Sequence, residues 1–474
     1  MKSYVTLVLT ILICSKVSIC QPSNPEILAD NQQLIDGYWT GKINTGLSSF
    51  TFTLKFWSND GSFMGTLDSP EQDLINIPVD EIIINNDSIK INIGAIQRKY
   101  HAVIDRKGTV MDGIYIRNRG INFPLVLKKT DSATVLIRPQ MPQRPYPYKE
   151  EEISFINEND GTRLAGTLTI PTGKAPFPAV ILISGSGAQD RDESYFGHKP
   201  FLIIADYLTC NGILVLRYDD RGVGGSSGDH LQSTTETNSE DVISAIRFLK
   251  TRQDIDTNKI GLIGHSEGSI IAAIAANKSP HIAYIIILGA PGLSIEENLY
   301  LQNAMIRRAE GISEDMIEQY NLIQRNVFSI IKEELNDSIA TEKLKAAYTF
   351  DRYQSLPGDI KQSIDERIND LLTPYVRDII KCNPAGILKK VQCPVLAISG
   401  EKDLQGPSKQ NLPEIEKALE SGNNKNFKCI ELQRINHMMQ TCSKGTISEY
   451  SQIEETISPL VLNTIYEWIH TSKR

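Results

Sequence analysis

Seven cysteines in 474 residues are too few for a disulfide scaffold. Basic residues are also in the minority. Lys and Arg number 49 against 57 Asp and Glu, a net charge of −8. A chain with that balance lacks the basic surface that draws proteins to nucleic acid. Beyond residue 20 no apolar run approaches the roughly 20 residues of a membrane-crossing helix, so no stable membrane insertion is expected. His-Glu-x-x-His and paired Cys-x-x-Cys spacings are absent, so no metal is expected. The phosphate-loop ending Gly-Lys-Ser/Thr is missing too. Gly222-Val223-Gly224-Gly225-Ser226-Ser227-Gly228 fails as a dinucleotide fingerprint, because Ser227 stands where the third glycine belongs. What remains is ordinary globular usage, 41% hydrophobic and 22% charged, enough apolar residues to bury a core.

The first 20 residues form a separate unit. Lys2 precedes an apolar run over 5–14, and Ser18-Ile19-Cys20 places small residues at −3 and −1 of a cut before Gln21. This is the layout of a bacterial signal peptide, so an exported protein, periplasmic or extracellular, is expected. A second reading makes Cys20 the lipid-bearing cysteine of a lipoprotein, although Ile19 fits such a site poorly. Five cysteines follow the leader: Cys210, Cys382, Cys393, Cys429 and Cys442. Cys429 with Cys442 is the nearest candidate pair; free buried thiols are the alternative.

Residues 21–137 read as an all-β domain. Phe50-Thr51-Phe52-Thr53-Leu54-Lys55-Phe56 alternates with period two, and Ser58-Asn59-Asp60-Gly61, Arg106-Lys107-Gly108 and Asn118-Arg119-Gly120 are turns. A small antiparallel barrel or sandwich follows. Gly37-Tyr38-Trp39 resembles the Gly-x-Trp opening of lipocalin-like barrels, and Trp39 is equally suited to plugging a core. Pro139, Pro142, Pro145 and Pro147 then make 138–148 an extended, semi-rigid linker.

Over 149–474 the pattern changes to alternating strands and helices. Ala179-Val180-Ile181-Leu182-Ile183 and Ile213-Leu214-Val215-Leu216 are continuous apolar runs, as in strands covered on both faces. The fold class is α/β, a doubly wound, mostly parallel sheet. A stretch at about 294–385 has helical spacing and no buried-strand run. It reads as a helical cap inserted over one end of the sheet. Its aromatics Tyr300, Tyr320, Phe328 and Tyr348 suit either a pocket or a core.

Four places carry chemistry. Gly264-His265-Ser266-Glu267-Gly268 lies between a strand and a helix, the setting of a nucleophile elbow. The glycines permit a sharp turn, and Ser266 is thrust out at a helix start. Ser184-Gly185-Ser186-Gly187 follows a buried strand, where small residues let backbone N–H groups approach an oxyanion. Ser186 is the first choice of donor, Gly187 the next, and Glu267, after the serine, supplies the other N–H. Asp403, with Glu401 as alternative, ends the strand 394–398 and suits the acid that orients an imidazole. His437 follows a strand at 427–432, downstream of Asp403, so Ser266, Asp403 and His437 occur in the chain order of hydrolase triads. Its role would be general base and then general acid.

With Asp219-Asp220-Arg221-Gly222 and Gln189-Asp190-Arg191-Asp192, these motifs resemble the α/β-hydrolase serine esterases, in particular a bacterial secreted carboxylesterase group. The likeness covers about residues 150–474. Ser269 departs from it, since many such elbows carry a further glycine there. The resemblance implies a cap, no cofactor, and a small-molecule ester with a short acyl chain as substrate. The charged residues Asp190, Arg191, Asp192 and Arg221 read as a structural network near the site. Two other readings stay open: a serine aminopeptidase or acyl-peptide hydrolase, and a lipid- or glycan-binding protein with accessory hydrolase activity.

Overall fold

A computed structural model of the chain describes residues 35–471, apart from 46–48, 60–61, 73, 118–121, 350–352 and 357. The leader at 1–20, Cys20, and the turn residues Asp60-Gly61 and Asn118-Arg119-Gly120 lie outside the described residues.

The N-terminal strands are β1 (Gly37–Asn44), β2 (Ser49–Asn59), β3 (Ser62–Ser69), β4 (Leu74–Pro78), β5 (Glu81–Asn85), β6 (Ser88–Ile93), β7 (Arg98–Ile104), β8 (Val110–Arg117) and β9 (Phe123–Thr130). They form one curled antiparallel sheet in the order β4-β3-β2-β1-β9-β8-β7-β6-β5. Alternation drives the curl, because every second side chain turns inward. In β6, Ile89, Ile91 and Ile93 are buried while Lys90 is exposed. The interior is filled by Trp39, Phe52, Phe56, Tyr100, Met111 and Leu127. Trp39 is a core plug whose Nε1 donates to the Ile35 carbonyl at 2.7 Å.

The linker does not hang free. Arg138 donates to the carbonyls of Phe196, Ser451 and Ile453 at 2.9–3.2 Å. Gln140 donates to the Ile457 carbonyl and accepts from the Thr456 and Ile457 amides. Phe50 of β2 stacks on Phe196, ring centroids 5.5 Å apart.

The second sheet contains β10 (Lys149–Ile156), β11 (Arg163–Ile170), β12 (Phe177–Ile183), β13 (Leu214–Tyr218), β14 (Ile255–His265), β15 (Ile282–Leu288), β16 (Val395–Gly400) and β17 (Phe427–Leu432). Their order is β10-β11-β13-β12-β14-β15-β16-β17. β10 and β11 run antiparallel to their neighbours, and β12 to β17 are parallel. The apolar runs are explained by cover on both faces. Ile181 and Ile183 pack with α2 (Thr235–Lys250), α3 (Glu267–Lys278) and α10 (Ser408–Ser421). Val180 and Leu182 pack with α1 (Pro200–Cys210) and α12 (Pro459–Thr471). β12 leads to β13 on one side and β14 leads to β15 on the other, and in such sheets ligands bind beyond the strands' C-terminal ends where the connections diverge, here between β12 and β14.

Between β15 and β16 the chain is helical: α4 (Ile295–Ala309), α5 (Glu314–Glu333), α6 (Asp337–Thr349), α7 (Gly358–Leu371), α8 (Pro374–Lys381) and α9 (Pro384–Leu388). These helices have their own core, in which Tyr300 stacks on Phe328 at 5.5 Å. A short helix, α11 (Ile447–Tyr450), follows β17. None of the five described cysteines is in a disulfide, so Cys429 and Cys442 form no bridge.

Candidate active site

The elbow is built as its glycines require. Ser266 joins β14 to α3 with φ 53° and ψ −118°, a backbone conformation that costs an L-residue about 1–3 kcal/mol. A Cβ on Gly264 would lie 2.2 Å from the Gly268 carbonyl oxygen. One on Gly268 would lie 2.2 Å from the Ile183 carbonyl oxygen. Neither position admits a side chain, so the two glycines let the turn close against the end of β12. The Ser266 amide is anchored on the Leu288 carbonyl at 2.8 Å. Ser269, the departure from the expected motif, donates its hydroxyl to the Gly264 carbonyl and braces the turn.

Asp403 follows β16 and is buried. Its Oδ2 accepts from His437 Nδ1 at 2.9 Å, and Oδ1 accepts from the amides of Gln405 and Gly406 at 2.8 and 2.7 Å. Burial alone would raise its pKa, but His437 and the two amides hold it below the usual aspartate value. Glu401 instead accepts from the Arg434 amide. His437 sits in a loop tied by Asn436, which pairs with Gln440 through both side chains and main chain. Ser266 and His437 line one cavity, together with Gly185, Ser186 and Glu267.

The loop after β12 differs from expectation in one donor. Of the two amides named from the sequence, that of Gly187 already donates to the Tyr375 hydroxyl at 3.2 Å, in a buried contact. Gly187 is therefore occupied by the cap, while Ser186 faces the cavity. A Cβ on Gly185 would lie 3.2 Å from Ser266 Cβ, which shows how closely this loop approaches the serine.

Three residues of the site escaped the sequence reading. Glu193 Oε1 accepts from the Gly185 amide at 2.7 Å and meets His265 Nδ1 at 2.8 Å. His265 Nε2 lies 2.9 Å from the His437 carbonyl, and a carbonyl only accepts, so this nitrogen carries a proton. Burial disfavours the imidazolium, yet Glu193, the His437 carbonyl and Asp403 together raise the His265 pKa. The pair thus braces the elbow, the oxyanion loop and the histidine loop together. Gly289, with φ 58°, passes so close to the acid–base pair that a Cβ would lie 3.1 Å from His437 Nδ1. Tyr375 of α8 donates to Glu267 Oε2 at 2.5 Å. Only Gly289 left a signal, a glycine ending a buried strand beside the acid's strand. Glu193 and Tyr375 sit in no local pattern.

The cavity's apolar wall comes from the cap, through Ile295 and Leu299 of α4 and Val376, Ile379 and Ile380 of α8. Tyr300, Phe328 and Tyr348 belong to the cap core, and Tyr320 lies under the Arg307 guanidinium. The charged residues flanking the site are paired with one another. Arg191 grips Asp219 and Glu152, Arg217 pairs with Asp192, and Arg221 grips Asp241 and Asp160.

Residues 200–352 match the family model described as serine aminopeptidase, S33. Esterase EstD of Thermotoga maritima is 28% identical over 326 residues, 69% of this chain and 68% of that protein. Esterase FrsA of Yersinia enterocolitica is 33% identical over 127 residues, 27% of this chain and 28% of its own. Among solved structures, an esterase of Pyrococcus furiosus aligns over 72% of this chain and 98% of its own, at 15% identity and TM-score 0.41. The strand order with its single reversal, the strained serine between β14 and α3, and the esterase relatives agree on an α/β-hydrolase fold similar to that of serine esterases.

Proposed function

We propose that the chain hydrolyses carboxylic esters of small molecules through an acyl-enzyme on Ser266. His437 takes the Ser266 proton as the hydroxyl attacks the carbonyl carbon, and returns it to the departing alcohol. Asp403 holds the imidazole with its Nδ1 proton toward the carboxylate and stabilises the imidazolium that forms. The Ser186 and Glu267 amides receive the oxyanion. A water, deprotonated by His437, then releases the acid. The observation that carries this reading is the buried Asp403–His437 hydrogen bond beside a strained serine on one cavity. The apolar wall from α4 and α8 supports a short acyl chain as the group held there.

The test is Ser266→Ala assayed with p-nitrophenyl acetate. Turnover should fall by at least about 10³-fold with the circular dichroism spectrum unchanged. Activity near the wild-type level in a folded Ser266→Ala protein rejects the reading. The match to an aminopeptidase family model favours one alternative, cleavage of amino-acid amides, which faster turnover of alanine p-nitroanilide than of the acetate would establish.

A further inference from the structure

Tyr375 links the cap to both sides of the oxyanion hole. It stands in the first turn of α8. Its hydroxyl accepts from the Gly187 amide at 3.2 Å and donates to Glu267 Oε2 at 2.5 Å. Tyr375 and Glu267 are each only 3% exposed. Burial raises the pKa of both groups and favours their protonated forms, and the nearby Ser186 hydroxyl opposes this only in part. One phenol thus bears on the loop that contains Ser186 and on the side chain of Glu267, the two residues whose amides would hold the oxyanion.

The helix that carries this phenol is itself tied to two neighbouring helices through adjacent residues in its middle. Asp378 accepts from the Thr235 amide and hydroxyl at 2.8 and 2.9 Å, at the start of α2. Arg377 donates to the carbonyls of Ile331 and Glu334 at 2.7 and 2.8 Å, at the end of α5. The His230 ring packs on Tyr375 with centroids 4.4 Å apart. If α8 lifted, the Glu267 carboxyl and the Gly187 amide would lose their shared partner inside an apolar setting, where unpaired polar groups are costly.

We propose that Tyr375 is a positioning residue that sets the spacing of the Ser186 and Glu267 amides, so that the oxyanion hole is complete only with the cap helix α8 seated. The proposal rests on the serine-hydrolase reading above. Its chemistry follows from where charge develops. The carbonyl oxygen of the bound ester needs the two donors weakly, and the oxyanion of the tetrahedral intermediate needs them strongly. A phenol that tunes their spacing therefore acts on the transition state more than on substrate binding. Tyr375 itself need not touch the substrate.

The experiment uses the full chain carrying Tyr375→Phe, which removes one oxygen and keeps the ring on His230. On p-nitrophenyl acetate, kcat should fall about tenfold with KM within about twofold. A trifluoromethyl ketone, which forms a tetrahedral adduct with the serine, should inhibit about tenfold less well. The matching methyl ketone should bind as before. A rise in KM with kcat intact, or equal weakening of both ketones, overturns the proposal and leaves Tyr375 a packing residue. Glu267→Leu gives the same split by another route, since it removes the acceptor of the phenol and keeps the residue's amide. An unchanged kcat in Glu267→Leu overturns the proposal even if Tyr375→Phe fails to accumulate. Activity lost in Ser266→Ala but untouched in Tyr375→Phe rejects the tether alone. Activity surviving in Ser266→Ala rejects the nucleophile first.

Discussion

Gly289 shows how little room the acid–base pair leaves. Its φ of 58° already disfavours a side chain, and a Cβ there would crowd His437 Nδ1 at 3.1 Å and Asp403 Oδ2 at 3.3 Å. Gly289→Ala should therefore act twice. The left-handed backbone costs about 1–2 kcal/mol, read as a lower urea midpoint. The methyl also displaces the imidazole from its carboxylate, and kcat should drop by about tenfold or more, because small misplacements of reacting groups are expensive. Steady-state kinetics beside the urea curve separates the two effects. Ser266, Asp403 and His437 could be singled out in the sequence because each follows a strand, in a fixed chain order. Glu193 and Tyr375 could not, because their partners come from afar: Tyr375 meets Glu267 across 108 positions. Glu193, next to Asp190, Arg191 and Asp192, looks like any solvated acid until the fold buries it against His265.

At the scale of elements, the parallel strands announced themselves, since only a strand covered on both faces runs as Val-Ile-Leu-Ile without a polar break. The cap was legible as a helical stretch, but not which of its residues meet the cavity. Periodicity marks the apolar face of a helix and says nothing of what lies against it. Tyr300 and Phe328 face one another, and the shorter Val376 and Ile379 wall the pocket. α8 depends on Asp378 for its hold on α2. Asp378→Ala removes the acceptor of one helix-terminal N–H and one hydroxyl, which should cost about 1–2 kcal/mol locally. Limited trypsin digestion should then cut within 310–381 faster than in the wild type, and kcat should fall while KM rises, because α8 carries both the Tyr375 tether and the apolar wall. Unchanged digestion would show that Arg377 alone suffices to hold the helix.

For the whole molecule, composition and pattern suggested a β domain, a proline-rich linker and an α/β domain, and the structure adds that residues 138–140 are sewn to loops outside the second sheet. Arg138 spans three carbonyls, and Phe50 stacks on Phe196 beside Tyr195, which lines the cavity. Arg138→Ala should cost about 2–3 kcal/mol, since hydrogen bonds from a charged donor to partly buried carbonyls are among the stronger ones. Thermal unfolding should begin about 2–5 °C earlier, and ester turnover should weaken because the support of residues 193–196 is loosened. An unaltered melting curve would mean that the apolar contact around Phe50 carries the interface. Such long-range stitching is invisible in sequence, because a lone arginine beside a proline has no periodicity and its acceptors are main-chain carbonyls.

The backbone of Ser266 has an implication for selection. A non-glycine residue held at φ 53° is strained whether or not it reacts, and glycine would relieve that strain at once. Heat resistance and turnover therefore pull in opposite directions at this position. A mutant library of this chain ranked by melting point alone would enrich inactive clones, and robustness would have to be sought in the β domain or the linker, far from the serine.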